Sequence, residues 1–407
     1  MTAPSIDSQR LLSRIKELGQ IGRDGDGKLS RVALTDADKM GRDQFVTWLQ
    51  EAGLEVQVDR IGNIFGVWPV QGQTAPLMMG SHIDSVINAG MLDGCYGVLA
   101  GLSVIEALRA AGIQSDRPLI VGAFTNEEGV RFTPDMMGSL VYASGLDTET
   151  ALATIGTDGT NLGEELARIG YAGAMEPGSI IPSAFLEVHI EQGPLLEAEN
   201  IMIGAVENLQ GISWQKVTIR GTANHAGTTP THLRKDAGLA AAKVITFLRQ
   251  LVEGSNSVAT VGTIKFAPNA VNVVPNMAEF TVDLRDPDEE TLKNREAELS
   301  DFLAALEQTD GVSVATEQLV RFEPVTFDSE LVQQVEASAD ARGYSCRRMT
   351  SGAGHDAQMM ARICPSAMIF VPSKDGVSHN PREHTDDKDL IAGAEVLLDT
   401  VLGIVAT

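Results

Sequence analysis

Positive charge is what this 407-residue chain has least of: 31 Lys and Arg stand against 55 Asp and Glu, a net charge of −24. Nucleic acids and anionic membranes are held by clustered Lys and Arg, so neither is an expected partner. Cysteine is equally scarce. Cys95, Cys346 and Cys364 lack metal-type spacing and make no disulfide framework, which leaves small buried hydrophobes in a reducing compartment. No apolar run reaches the roughly 18 residues of a membrane span, and the first residues carry no apolar signal-peptide core. A cytoplasmic location is the expectation. Internal repeats and low-complexity tracts are absent too.

What is present is a globular composition, 43% hydrophobic, in a chain too long for one ordinary core. Apolar periodicity predicts helices over 6–20 and 36–53, the second presenting Met40, Phe45, Trp48 and Leu49. Strands over 54–59 and 63–68 turn at Ile61-Gly62-Asn63, buried strands end at His82 and Thr125, and another from Ala184 runs through His189 to Glu191, Gln192 and Gly193. A helix carrying Val98, Leu102, Ile105 and Leu108 follows the first of these. Residues 134–182 are looser, with small helices. From 211 the texture changes. A strand, a helix over 234–253 (Ala237, Ala240, Ala241, Val244, Ile245, Leu248), strands over 257–266 and 278–284, a helix over 288–308 (Leu292, Leu299, Phe302, Leu306) and a strand over 312–321 follow in turn. That order, β-α-β-β-α-β, is the ferredoxin-like split βαβ unit. After 328 the first texture resumes through a helix over 329–342, a strand over 344–349, the loop Ser351–Asp356, a strand from Ala367, the loop Gly376–His384 and a helix over 386–404. The expected fold is an α/β domain, residues 1–210 and 328–407, with mixed sheet and helices on both faces. A smaller α+β domain, 211–327, is inserted in it.

The chain has seven histidines, and most stand at strand ends or in loops beside Gly, Asp or Glu. His82, Asp93, Glu128, His189 and His379 all follow a predicted core strand of the larger domain. The carboxyl ends of such strands are where open α/β sheets build sites. Singly, each also fits a capped turn or a satisfied histidine. Together, five such ligands with one shared carboxylate are what two neighbouring metal ions require. Asp93 is the better bridge, and Asp84, two residues from His82, is placed to accept the other imidazole N–H. Glu127 and Glu128 are adjacent and point apart, so Glu128 can bind metal while Glu127 handles protons. An acidic turn is the plainer reading of that pair.

These residues carry a resemblance. His82-x-Asp84, Asp93-Gly94, Asn126-Glu127-Glu128-Gly129, His189-Ile-Glu-Gln-Gly193 and Ser378-His379-x-Pro-x-Glu383 resemble the successive motifs of dinuclear-metal, zinc-exopeptidase-like amidohydrolases. His189 in its motif, together with Asn224-His225-Ala-Gly-Thr-Thr-Pro230, is similar to the hydantoinase/carbamoylase group: N-carbamoyl-L-amino acid hydrolases, β-ureidopropionases and allantoate amidohydrolases. The resemblance runs over roughly residues 6–404. It implies hydrolysis of the ureido C–N bond of an N-carbamoyl-L-amino acid to the amino acid, CO₂ and ammonia. Allantoate amidohydrolase is the nearest alternative, and dipeptidase, aminoacylase or non-catalytic homologue are more distant ones. It implies two divalent ions per subunit, zinc first, with Mn²⁺, Co²⁺ or Ni²⁺ also compatible. One ion falls to His82, Asp93 and His189, the other to Asp93, Glu128 and His379, with Glu127 as general base and then acid. It further implies a cis Asp93–Gly94 bond.

The same resemblance makes the insert a lid and homodimerisation domain and makes His225 the donor to the oxyanion. Asn272 and Arg285 suit a substrate carboxylate, and all three need lid closure or a partner subunit to reach the metals. Arg285, between Asp283 and Asp286, equally fits a surface ion pair. Gln192 is placed for the ureido group. The Gly354 backbone, ahead of a predicted helix, suits an anionic substrate group, with His355 and Asp356 bracing that loop. His232 and His384 read as structural or solvated.

Overall fold

A computed structural model describes residues 4–70 and 74–405. The chain divides into two compact units: residues up to Glu207 together with those from Phe327 onward, and Asn208–Thr326.

In the first unit, Asp7 caps α1 (Ser8–Leu18) by accepting the Arg10 N–H, and a two-residue strand β1 (Leu29–Ser30) follows. Thr35 caps α2 (Asp36–Glu51), which buries Phe45, Trp48 and Leu49. Met40, assigned to that face from the sequence, is instead 58% exposed. Strands β2 (Glu55–Val58) and β3 (Ile64–Trp68) pair antiparallel about the Ile61–Asn63 turn. Then come β4 (Leu77–His82), β5 (Ile87–Ala89), α3 (Cys95–Ala110) and β6 (Leu119–Phe124). Three short helices occupy the looser segment: α4 (Met137–Tyr142), α5 (Thr148–Leu152) and α6 (Leu162–Ile169). β7 (Ala184–Ile190), α7 (Leu195–Glu199) and β8 (Ile203–Leu209) lead to the insert.

The second unit runs β9 (Gly211–Arg220), α8 (Ala237–Leu251), β10 (Val258–Thr260), β11 (Ile264–Ala267), β12 (Met277–Asp286), α9 (Glu289–Asp310) and β13 (Ser313–Phe322), and β14 (Val325–Thr326) ends it. Its sheet is antiparallel in the order β10-β12-β9-β13, with β11 also on β12. The strand expected over 257–266 is broken in two. Thr260 faces Asp283 but Ile264 faces Phe280, a one-residue change of register around Gly262. An extra residue in one strand cannot be paired, so the ladder opens there, and glycine tolerates the bend. Ala237, Ala240, Ala241, Val244 and Leu248 of α8 are buried against the sheet with Leu292, Leu299 and Leu306 of α9. Ile245 is 40% exposed, and Phe302 stacks on Phe247 at 4.0 Å between ring centroids.

The first unit resumes with α10 (Ser329–Ala341), β15 (Cys346–Ser351), α11 (Asp356–Met360), β16 (Ser366–Val371) and α12 (Asp387–Val405). Its sheet has the order β8-β16-β7-β4-β6-β3-β2, with β15 also on β8. Neighbours β16, β7, β4 and β6 are parallel, and the flanking strands β3 and β8 run against them. All four parallel strands are buried along their whole length. Such strands need cover on both faces, which helices provide. Successive residues of β7 show it. Glu187 accepts the Ala357 N–H of α11, while Val188 packs beside Gly97 of α3 and Gly393 of α12. The mixed α/β architecture read from the sequence is the one observed.

Candidate active site

Parallel order brings the carboxyl ends of four neighbouring strands to one edge of the sheet. His82 is the last residue of β4, Asn126-Glu127-Glu128 follow β6, His189 is next to last in β7, and the loop after β16 carries His379. A strand, unlike a helix, points only its end at such an edge, so each contributes one or two side chains.

Asp93 sits at the centre. Its Oδ1 lies 3.5 Å from His82 Nε2 and 3.2 Å from His189 Nε2, and its Oδ2 lies 3.3 Å from His379 Nε2. His379 Nε2 is also 3.3 Å from Glu128 Oε2. The ligand atoms of His82, Asp93 and His189 lie within 4.8 Å of one another, and so do those of Asp93, Glu128 and His379. Glu127 Oε2 is 3.4 Å from His82 Nε2. His189 Nδ1 bonds the Ile190 carbonyl at 2.8 Å, and its Nε2 accepts the Gly94 N–H at 3.0 Å. The proton is therefore on Nδ1 and Nε2 is the acceptor nitrogen, the tautomer a metal ligand needs.

Two details depart from the sequence reading. The partner of His82 Nδ1 is the main-chain carbonyl of Asp84, at 3.0 Å, and the Asp84 carboxylate is 3.9 Å away. That carboxylate accepts the N–H groups of Glu127 (3.2 Å) and Glu128 (3.3 Å) instead, because the end of β6 leaves these two donors without a strand partner. Asp84 thus orients His82 through its backbone and the two glutamates through its side chain. Second, the cis bonds among the described residues are Thr133–Pro134 and Ala267–Pro268, so the expected cis Asp93–Gly94 bond is absent. Gly94 takes φ +63 and ψ −48 there, a conformation open to glycine.

Charge is crowded. Burial pushes Glu127 well above the usual carboxylate range and Glu128 to about 8, with Asp93 adding to the second. Burial opposes ionisation of Asp93 too, but His189, His379 and His82 hold it well below the usual range. Enclosed carboxylates around three imidazoles are an oxygen and nitrogen donor set that divalent first-row cations neutralise, so the residues present fit a metal centre.

Gln192 Nε2 donates to Asp93 Oδ2 at 2.8 Å and to Ser378 Oγ at 3.3 Å, and its Oε1 is buried without a partner. Gly354 lies in the loop before α11. That helix has five residues, too few for the helix-end field behind the expected anion contact. In the second unit His225 and Asn272 are neighbours: His225 bridges to Val273, and the Asn272 carbonyl accepts the Ala226 N–H at 2.9 Å. His225 Nδ1 accepts the Gly227 N–H (3.0 Å) and the Thr228 N–H (3.2 Å), leaving the proton on Nε2. Arg285, on β12, is held by the Asp283 carboxylate at 2.9 Å, while Asp286 takes the Ser257 hydroxyl at 2.5 Å.

Some participants escaped the sequence reading. Glu383 accepts the N–H groups of Leu92 (2.8 Å) and Asp93 (3.3 Å) and the Ser378 hydroxyl (3.1 Å), tying the Asp93 loop to the His379 loop. Its place in the motif with Ser378 and His379 was the available signal. His355 braces the start of α11 through its main chain, whose carbonyl accepts the Gln358 N–H at 2.9 Å, and not through its ring Nε2. Its Nε2 is buried and unpartnered, and its ring meets that of His189 at 4.5 Å. With Glu187 and His189 it forms a third cluster of potential ligands.

Residues 78–403 match the model of peptidase family M20/M25/M40. The chain belongs to that family. Within M20 its relatives are the hydantoinase/carbamoylase amidases, as the motifs indicated. The N-carbamoyl-L-amino-acid amidohydrolase of Rhizobium meliloti is 39% identical over 409 residues, 99% of this chain and 98% of that protein. The allantoate amidohydrolase of Bacillus subtilis is 33% identical over 395 residues, 95% of each. The crystal structure of a hydantoinase/carbamoylase family amidase from Burkholderia multivorans superposes with a TM-score of 0.97 at 42% identity, covering both chains completely. This M20 member is a hydrolase.

Proposed function

We propose that this M20 hydrolase cleaves the carbamoyl C–N bond of N-carbamoyl-L-amino acids, giving the amino acid, CO₂ and ammonia, with two divalent ions per subunit. The observation that carries the reading is the division of the Asp93 carboxylate, Oδ1 toward His82 and His189 and Oδ2 toward His379. His82, Asp93 and His189 would hold one ion, and Asp93, Glu128 and His379 the other. Bound there, such ions supply Lewis-acid polarisation of the substrate carbonyl and make water nucleophilic near neutral pH. Zinc suits the donors, and Mn²⁺, Co²⁺ or Ni²⁺ are compatible.

Glu127, beside His82 and outside both ligand sets, takes the proton of the attacking water and returns it to the leaving nitrogen. The buried, unpartnered Gln192 Oε1 is an acceptor for a ureido N–H. His225 Nε2–H is the donor to the oxyanion, a role its fixed tautomer supports. Asn272 and Arg285 take the substrate carboxylate, and Gly354 contributes a main-chain contact. The insert serves as lid and homodimer contact, a role that the exposed Leu239 and Ile245 of α8 support. The three unpaired cysteines agree with a cytoplasmic enzyme. Allantoate is the second reading, supported by the Bacillus subtilis relative.

Ammonia release by the purified protein, over a panel of N-carbamoyl-L-amino acids, β-ureidopropionate and allantoate, tests this together with metal analysis. Release from carbamoyl amino acids with two metal equivalents per chain is expected. Preference for allantoate would replace the substrate, and silence on the whole panel would overturn the reading.

A further inference from the structure

Two arginines are among the largest fully buried side chains of the molecule, and they are buried differently. Arg42 has the Asp38 carboxylate at 2.7 Å. Arg31 has no such partner: among the described residues it makes no ion pair with a carboxylate. Its Nε donates to the Ile83 carbonyl (2.7 Å), its Nη1 to the carbonyls of Leu18 and Ile21 (2.8 Å each), and its Nη2 to Cys95 Sγ (2.9 Å). Its own backbone is fixed as well, exchanging bonds with Ser85 through N–H to Oγ and C=O to N–H, both 2.9 Å. The neighbourhood is shaped for it, since a Cβ on Gly41 would stand 2.8 Å from Arg31 Cδ.

A buried guanidinium without a counter-ion is costly, and a hydrophobic residue of that size would ordinarily serve stability better. What an aliphatic chain lacks is a planar fork with fixed donor directions. The acceptors of that fork are telling. Ile83 follows His82, and Cys95 comes two residues after Asp93. The third anchor is the end of α1 and the turn beyond it. Arg31 lies before residue 78, outside the segment matched by the family model.

We propose that Arg31 is a positioning residue for the metal centre: it clamps the Ile83 carbonyl and the Cys95 thiol together against the end of α1, and so sets the separation of His82 and Asp93. The inference rests on the two-ion reading above. Outer partners that orient ligands typically govern affinity by about 10–100-fold.

Cys95→Ala removes one acceptor of the clamp and leaves the three carbonyl bonds in place, and Cys95→Ser restores an acceptor. Arg31→Lys keeps the charge and loses the fork. Each variant and the wild type are loaded with Zn²⁺, titrated against a chelator, and melted in the metal-free state. The expected result is Zn²⁺ affinity weakened at least about tenfold in Cys95→Ala and Arg31→Lys, near wild type in Cys95→Ser. The metal-free melting temperature should be lower in Cys95→Ala than in Cys95→Ser, because one buried guanidinium N–H loses its acceptor, and kcat should fall with KM unchanged. Wild-type affinity in Cys95→Ala overturns the proposal, whether or not Arg31→Lys folds. A wild-type chain that takes up no Zn²⁺ overturns the two-ion reading itself.

Discussion

Gly94 lies against the face of His82: a Cβ built on it would stand 2.4 Å from His82 Nε2. The residue that follows Asp93 is thus a glycine for two independent reasons, the contact and the positive φ. Gly94→Ala should drive the imidazole out of place and cut turnover by more than about 100-fold, with metal lost alongside. Turnover and metal content of the purified variant check this. A variant with both intact would show that the loop relaxes freely.

Glu127→Gln keeps the size and most contacts of the side chain and removes its capacity to carry a proton. Metal content should be unchanged, and kcat should fall by about 10²–10⁴. Normal turnover would remove Glu127 from proton transfer.

Asp84→Asn tests the brace. The Asp84 carboxylate accepts two N–H groups, the buried one of Glu127 and the partly buried one of Glu128, and an amide placed there can satisfy only one well. A loss of about 1–3 kcal/mol in unfolding free energy is expected, measurable from denaturant midpoints. His82 should keep its partner, since that bond runs to the Asp84 main chain.

Asp59 gives the fold a pH dependence away from the site. Its carboxylate accepts the N–H groups of Ile61 (3.1 Å) and Asn63 (2.9 Å) and the Asn63 side-chain amide (2.8 Å), yet burial raises its pKa to about 7. The unfolded value is near 3.9. The folded state therefore binds this proton more tightly. The contribution is fully present below about pH 4 and is lost as pH rises through about 7. Denaturant midpoints at pH 5 and 8 should fall more in wild type than in Asp59→Asn. Parallel slopes would clear Asp59 of the effect.

Much of this was legible because core strands of a parallel sheet are continuous apolar runs, and the site residues stand where those runs stop. Leu77–His82 and Leu119–Phe124 announce both strand and site by composition. Other parts had no such mark. β8 and β9 are separated by Gln210 alone, with no turn residues between them, so the first was hidden in front of the second. His82-x-Asp84 is compatible with either Asp84 oxygen source, carboxylate or carbonyl, and only the path of the chain decides. Left-handed φ at Asn126 (55°), Gln192 (57°) and His379 (52°) is imposed by the tertiary setting of the site, not by local preference alone. Arg31 looks like any surface cation in the sequence, because burial of a polar side chain depends on acceptors far along the chain.

The insertion has a consequence for the order of events in synthesis. His82, Asp93, Glu128 and His189 leave the ribosome before residues 208–326, while His379 and Glu383 come after them. On the two-ion reading proposed above, a nascent chain therefore owns one complete ligand triad, His82, Asp93 and His189, long before it owns the second. Until the last strand and its loop have emerged, such a chain is equipped at most for a single ion. On that reading, chemistry that needs both sites begins only after the insert and the loop carrying His379 have been made.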